Sequence, residues 1–102
     1  MAGANFKDAN LSGANFTDAD LSNAVLDGAN LEGAALDRAN FANSSLVGTN
    51  LRSASMRSAN LKGAALQRAV FESTDLEGAE VTGGSFPHLT FSFLRTAYKP
   101  PV

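Results

Sequence analysis

The stretch Ala29-Asn30-Leu31-Glu32-Gly33-Ala34-Ala35-Leu36-Asp37-Arg38-Ala39-Asn40-Phe41 repeats one pattern three times: a small residue, a mostly polar one, a large apolar one, then two hydrophilic or glycine positions. Stepping outward by fives in both directions from Leu31 gives Phe6, Leu11, Phe16, Leu21, Leu26, Leu36, Phe41, Leu46, Leu51, Met56, Leu61, Leu66, Phe71, Leu76, Val81, Phe86 and Phe91. All eighteen positions are large and apolar in a chain that is 44% hydrophobic overall, so the period is not accidental. Two residues before each centre, from Ala4 to Gly84, stand thirteen alanines together with Ser44, Thr49, Thr74 and Gly84. The position between is often Asn or Asp, as at Asn5, Asn10, Asn15, Asp20, Asn30, Asn40, Asn50, Asn60 and Asp75.

A period of five restricts the backbone. On an α-helix, five steps of about 100° carry the side chain roughly 140° past a full turn, so the large residues would spiral around the axis. On a straight strand an odd spacing sends successive large residues to opposite faces. A bend in every repeat removes the conflict. Each five-residue segment then forms one side of a coil, with the large centre and the small residue two before it both pointing inward. The expected fold class is all-β, a solenoid.

The segments Ala-Asn-Leu-Ser-Gly (9–13), Ala-Asn-Leu-Glu-Gly (29–33) and Ala-Asn-Leu-Lys-Gly (59–63) resemble the consensus of the pentapeptide repeat proteins, and the resemblance covers roughly residues 4–86. It implies a right-handed quadrilateral β-helix with four repeats per coil, the central Leu or Phe and the preceding Ala inside. Ser44, Thr49, Thr74, Val25, Ala35, Ala65 and Val70 are mild departures. Seventeen to eighteen repeats make four to five coils.

Charges offer an independent reading of the number of sides, because residues one coil apart stack at the ~4.8 Å strand spacing. At a separation of twenty, Lys7 meets Asp27, Asp18 meets Arg38, Glu32 meets Arg52, Arg52 meets Glu72, Asp37 meets Arg57, Arg57 meets Glu77 and Asp75 meets Arg95, all of opposite sign. The three-sided alternative, a separation of fifteen, also gives only opposite pairs: Asp37 with Arg52, Arg57 with Glu72, Lys62 with Glu77 and Glu80 with Arg95. Four sides are favoured by a small margin. Like charges instead follow one another at a separation of five, as in Asp27, Glu32, Asp37 and in Arg52, Arg57, Lys62, so each coil carries its own sign. Ladders such as Asn10, Asn30, Asn50 are expected to add hydrogen bonds between stacked coils.

Regularity ends near Phe86-Pro87-His88-Leu89, which divides the chain into a solenoid, 1–86, and a C-terminal cap and tail, 87–102. Ser92 could cap a short helix ending before Pro100 and Pro101. Phe91, Phe93, Leu94 and Tyr98 are dense in large apolar side chains and form the candidate interface. They either close the last coil, as solenoids require of their terminal units, or join two copies into a homodimer through a solenoid end. The repeats begin almost at Met1, leaving the first strand edge to be covered by a further segment, a partner or a second copy.

Composition argues against chemistry. There is no cysteine, and His88 is the single histidine, so neither thiol catalysis nor a histidine cluster for metal can be assembled. Asp18 and Asp20 lie at outward positions, where carboxylates are ordinarily solvated. Asn10-Leu11-Ser12, Asn15-Phe16-Thr17 and Asn43-Ser44-Ser45 match a glycosylation sequon, but the repeat itself generates them. Gly83-Gly84 lacks phosphate-loop spacing. The net charge of -2 points to neither a polyanionic nor a polycationic partner. No apolar run approaches the ~18 residues that cross a bilayer, and residues 1–5 lack the basic and apolar regions of a secretory signal.

The expected function is therefore a non-enzymatic structural or protein-binding scaffold without cofactor, metal, direct nucleic-acid binding or membrane insertion, presenting flat faces to a protein partner. The resemblance supplies an alternative, a DNA mimic acting on the type II topoisomerase gyrase. Mimicry needs continuous negative charge, which Arg52 and Arg57 interrupt. The expected compartment is the cytoplasm, with the thylakoid lumen or periplasm open to a chain that has lost a leader.

Overall fold

In a computed structural model, which describes residues 1–83, every repeat bends at the same place. The two residues after each large centre form a turn closed by a backbone hydrogen bond, as where the Ala9 amide donates to the Phe6 carbonyl at 3.0 Å and the Ala29 amide to the Leu26 carbonyl at 3.0 Å. The second turn residue has positive φ throughout, from Gly3 at 73° to Gly83 at 70°, while the first does not, which marks a type II turn. This requirement accounts for the glycines of that column. Where glycine is absent the column holds Asp8, Asp18, Asn23, Asn43, three serines and, less usually, Arg38 and Arg68. Asp and Asn tolerate the left-handed region better than other non-glycine residues.

Twenty residues close one coil. All bridges among the described residues are parallel and join positions twenty apart, including Asn5 to Val25, Ala35 to Ser55 and Asn60 to Glu80. Four turns per twenty residues give four sides. The ambiguity left by the charges is thereby resolved in favour of the separation of twenty. Around each bridge the pairing alternates direction: the Val25 amide donates up to the Ala4 carbonyl at 2.9 Å, and the Phe6 amide donates down to the Val25 carbonyl at 2.7 Å. The amide of the second turn residue adds another bond between coils, as from Asp8 to Asp27 at 2.9 Å. With turns on both sides, each pairing is a single bridge residue and no longer strand forms among the described residues.

The sides are named here by their stacked centres. Side 1 carries Phe6, Leu26, Leu46 and Leu66; side 2, Leu11, Leu31, Leu51 and Phe71; side 3, Phe16, Leu36, Met56 and Leu76; side 4, Leu21, Phe41, Leu61 and Val81. From Leu21 to Leu76 these centres are buried, and the small residues from Ala24 to Ala69 are buried with them. The polar substitutions in the small column are fully accommodated. Thr49 Oγ1 donates to the Leu26 carbonyl at 2.7 Å, Thr74 Oγ1 to the Leu51 carbonyl at 2.6 Å and Ser44 Oγ to the Phe41 carbonyl at 2.7 Å. In the first coil Phe6, Leu11 and Phe16 are only partly buried, and the Phe6 and Phe16 rings meet edge to face with centroids 6.1 Å apart.

The candidate interface of Phe91, Phe93, Leu94 and Tyr98 lies outside the described residues, as do the expected cap, Pro87, His88 and Arg95.

Candidate protein-binding surface

The outward side chains are the residue before each centre and the two turn residues after it, the second of which forms the exposed corner. When the residue before the centre is Asn or Asp, its side-chain oxygen usually accepts the amide of the first turn residue, closing a small ring against its own turn: Asn5 with Lys7, Asn15 with Thr17, Asn30 with Glu32 and Asn60 with Lys62, all at 2.9 to 3.0 Å. The expected asparagine ladder is consequently weak. Asn50 Nδ2 reaches Asn30 Oδ1 at 3.4 Å, because that oxygen already serves the Glu32 amide.

Where the column holds serine, a carboxylate from the preceding coil takes over. Asp27 Oδ1 accepts from both Ser45 Oγ at 2.6 Å and the Val47 amide at 3.0 Å. Asp37 Oδ1 repeats the arrangement with Ser55 Oγ at 2.6 Å and the Arg57 amide at 3.0 Å. The Ser55 hydrogen bond is the main reason the Asp37 carboxyl sits below its ordinary pKa. Asp20 is lowered first by the Ser22 hydroxyl and then by the Ser22 amide. These aspartates are structural acceptors, an assignment that charge spacing alone does not reveal.

Ion pairs gather on sides 2 and 3. Arg52 Nε donates to Glu72 at 2.8 Å, and Arg57 Nη2 to Glu77 at 2.7 Å. At the corner after side 3, Arg38 meets Asp18 through Nε at 2.7 Å and Nη2 at 3.3 Å, which lowers the Asp18 carboxyl and raises the guanidinium. Each of these three pairs spans twenty positions, and among the described residues none spans fifteen. With side chains 50 to 65% exposed, these pairs are screened by solvent and add little to stability. Other pairs expected from spacing are replaced: Asp27 serves Ser45 and Val47 rather than Lys7, and Arg52 chooses Glu72 over Glu32. The Arg57 guanidinium turns to Glu77, with Asp75 at 3.8 Å, and it is the Arg57 amide that hydrogen-bonds Asp37.

Sides 1 and 4 are different. Their outward columns carry Val25, Ser45, Ala65 and Val47 on side 1, beside Lys7, Asp27 and Gln67, and Asn40, Asn60 and Ala42 on side 4, beside Asp20, Lys62 and Glu80. Val25, Ser45, Ala65 and Val47 are half-buried and form a flat strip of small side chains on side 1. Among the described residues no group of His, Cys, Asp and Glu is arranged to hold a metal ion, and no helix is long and apolar enough to cross a membrane.

The profile of the Pentapeptide repeats family matches residues 4–41, 34–72 and 54–92, eight copies in all. The chain belongs to the pentapeptide repeat family. Among solved structures, this pentapeptide repeat protein is similar to Rfr23 from the cyanobacterium Cyanothece 51142, with 33% identity and a TM-score of 0.80 over 81% of this chain and 57% of that one. A pentapeptide repeat protein from the Arabidopsis thaliana thylakoid lumen matches with 26% identity and a TM-score of 0.57, covering 76% of this chain and 65% of that one. Trypsin-treated QnrB1, a plasmid-mediated fluoroquinolone resistance protein, matches with 28% identity and a TM-score of 0.53, over 81% and 55% of the two chains. The repeat chain thus spans less than two thirds of these relatives. No curated protein sequence matches it.

Proposed function

We propose that this pentapeptide repeat protein is a non-enzymatic scaffold whose flat sides dock a protein partner. The carrying observation is how the polar groups are used. Outward Asn, Asp and Ser side chains are largely spent on the turns and on joining coils, as structural acceptors and donors. Side 1 instead offers a flat strip of small side chains, Val25, Ser45, Ala65 and Val47, of the kind protein partners bury. The finer architecture belongs to the same reading: a right-handed quadrilateral β-helix over 1–86, closed at 87–102 by a cap in which Phe91, Phe93, Leu94 and Tyr98 form a second contact surface. Its setting is the cytoplasm, or the lumen or periplasm if a leader is removed.

The test is affinity capture with the chain immobilised, comparing wild type with a Val25→Lys/Val47→Lys variant and a Phe93→Ser/Tyr98→Ser variant, each shown to be folded by circular dichroism. A protein retained by wild type and lost from one folded variant supports docking and locates it. Specific turnover of a small molecule, or retention indifferent to both variants, contradicts it.

The similarity to QnrB1 favours a second reading, a topoisomerase modulator. Against it, Arg52 and Arg57 neutralise the acidic columns of sides 2 and 3 by pairing with Glu72 and Glu77. Inhibition of gyrase supercoiling, or relief of quinolone inhibition, would replace the scaffold reading with this one.

A further inference from the structure

The corner between sides 1 and 2 stacks Asp8, Gly28, Gly48 and Arg68, one from each coil, all with positive φ. Of the four corners, this one carries an anion at one end, a cation at the other and glycines between. The corner after side 2 holds Gly13, Gly33, Ser53 and Ser73; the corner after side 4 holds Asn23, Asn43, Gly63 and Gly83. At the corner after side 3, Asp18 and Arg38 already pair with one another. Asp8 and Arg68 are three coils apart, roughly 14 Å at the ~4.8 Å spacing, so they do not meet within one molecule. No ion pair is formed by either one among the described residues. The Asp8 side chain lies over Gly28, and a Cβ on Gly48 would meet nothing within 4 Å.

Resting on the reading of side 1 as a docking face, we infer that side 1 and this corner associate with a second copy of the chain, side against side, around a two-fold axis lying in the contact and perpendicular to the coil axis. That operation keeps each column facing its own copy and inverts its order. Asp8 then faces Arg68 of the second copy, Gly28 faces Gly48, and the same contacts recur at the other end, giving a closed, isologous pair. On side 1 the column Asn5, Val25, Ser45, Ala65 meets its own inverse, so Val25 lies against Ser45 and Asn5 against Ala65. Val47 falls opposite Asp27, whose carboxylate keeps its bonds to Ser45 and the Val47 amide within its own chain. Rows in both copies share one spacing, so the small side chains of the Val25 column interdigitate while Lys7 falls opposite Gln67 at the rim. The bare glycines allow the corners to approach closely.

The contact is small. One side of four coils falls well short of the ~1,000 Å² typical of a stable interface, so the pair is weak and reversible. Its ionic part declines with salt, since the charges are exposed and the Debye length shrinks to about 3 Å at 1 M.

Sedimentation equilibrium of the full chain at rising concentration and low salt tests this, with circular dichroism confirming the fold of each variant. Wild type is expected to form dimers with a dissociation constant of about 0.1 to 1 mM, equivalent to a few kcal/mol. Asp8→Arg and Arg68→Asp should each weaken dimerisation about tenfold or more, and the double exchange should restore it. Aspartate is tolerated at positive φ, and Arg38 and Arg68 show that arginine is too. A chain that stays monomeric throughout overturns the inference. So does a dimer that survives both single reversals, or one the double exchange fails to rescue.

Discussion

Leu46→Ala should cost far more stability than Leu11→Ala, although both remove the same side chain from the same place in the repeat. Leu46 is fully buried, with Leu26 above and Leu66 below in the side 1 stack. Its coil cannot close over the gap, because the Leu46 amide is bonded to the Ala65 carbonyl at 2.7 Å and the Leu26 amide to the Ser45 carbonyl at 2.7 Å. The lost transfer energy and the retained cavity then add, giving about 3 to 5 kcal/mol, the upper part of the range for buried leucine truncations. Leu11 lies in the first coil, where the centres are partly buried, so truncation there leaves little enclosed cavity. About 1 to 2 kcal/mol is expected, nearer the transfer contribution alone. Urea titration followed by circular dichroism measures both, with the unfolding slope checked for change, since a solenoid can lose terminal coils separately. Equal costs at the two positions, or a Leu46→Ala cost below about 1 kcal/mol, would refute a continuous core that is closed at Leu46 and thinner in the first coil.

Gly33→Ala and Gly28→Ala separate backbone strain from crowding. Both have φ near 70°, so each should cost about 1 to 2 kcal/mol for placing a Cβ in the left-handed region. At Gly33 a Cβ has open space, whereas at Gly28 it runs into the Asp8 carboxylate; pairing Gly28→Ala with Asp8→Ala should recover the excess cost, measured by a double-mutant cycle of urea midpoints. Acid should destabilise the coil stack. Asp18, Asp20 and Asp37 have carboxyls lowered in the folded state, so their contribution is present above the unfolded value of about 3.9 and is lost as pH falls through the lower folded values. Asp37→Asn should flatten the fall in urea midpoint over that window, while a slope unchanged by the substitution would deny the carboxylate its role between coils.

Much of this was legible in the chain because the repeat tests itself. Eighteen apolar residues at one spacing leave few backbones possible, and the inward Ala and Leu columns lie in the structure where the spacing puts them, from Leu21 to Ala79. The bend was legible but its turn type was not read; its signal is the second turn residue, glycine at Gly3, Gly13, Gly28, Gly33, Gly48, Gly63, Gly78 and Gly83, which is what a recurring positive φ favours. Partner choice among charges was not. Spacing predicts that Asp27 attracts Lys7, but a flexible exposed lysine competes poorly with a serine hydroxyl and a fixed amide one coil away. Charge spacing likewise allowed three sides or four, since opposite signs occur at both separations. Backbone bridges decide between them, and a one-dimensional sequence does not display them.

Four sides per coil is the central claim, and a cysteine-free chain permits a direct test of it. Ala35 and Ser55 are twenty apart and paired in a parallel bridge, a stacking at ~4.8 Å that falls within the Cα separations a disulfide accepts. Ala35→Cys/Ser55→Cys should therefore oxidise to an intramolecular disulfide in the native protein. Ala35→Cys/Asn50→Cys, fifteen apart, places its thiols on neighbouring sides of adjacent coils and should remain reduced under the same conditions. Rapid cross-linking of the fifteen-residue pair with none at twenty would contradict the four-sided coil and everything built on its stacking.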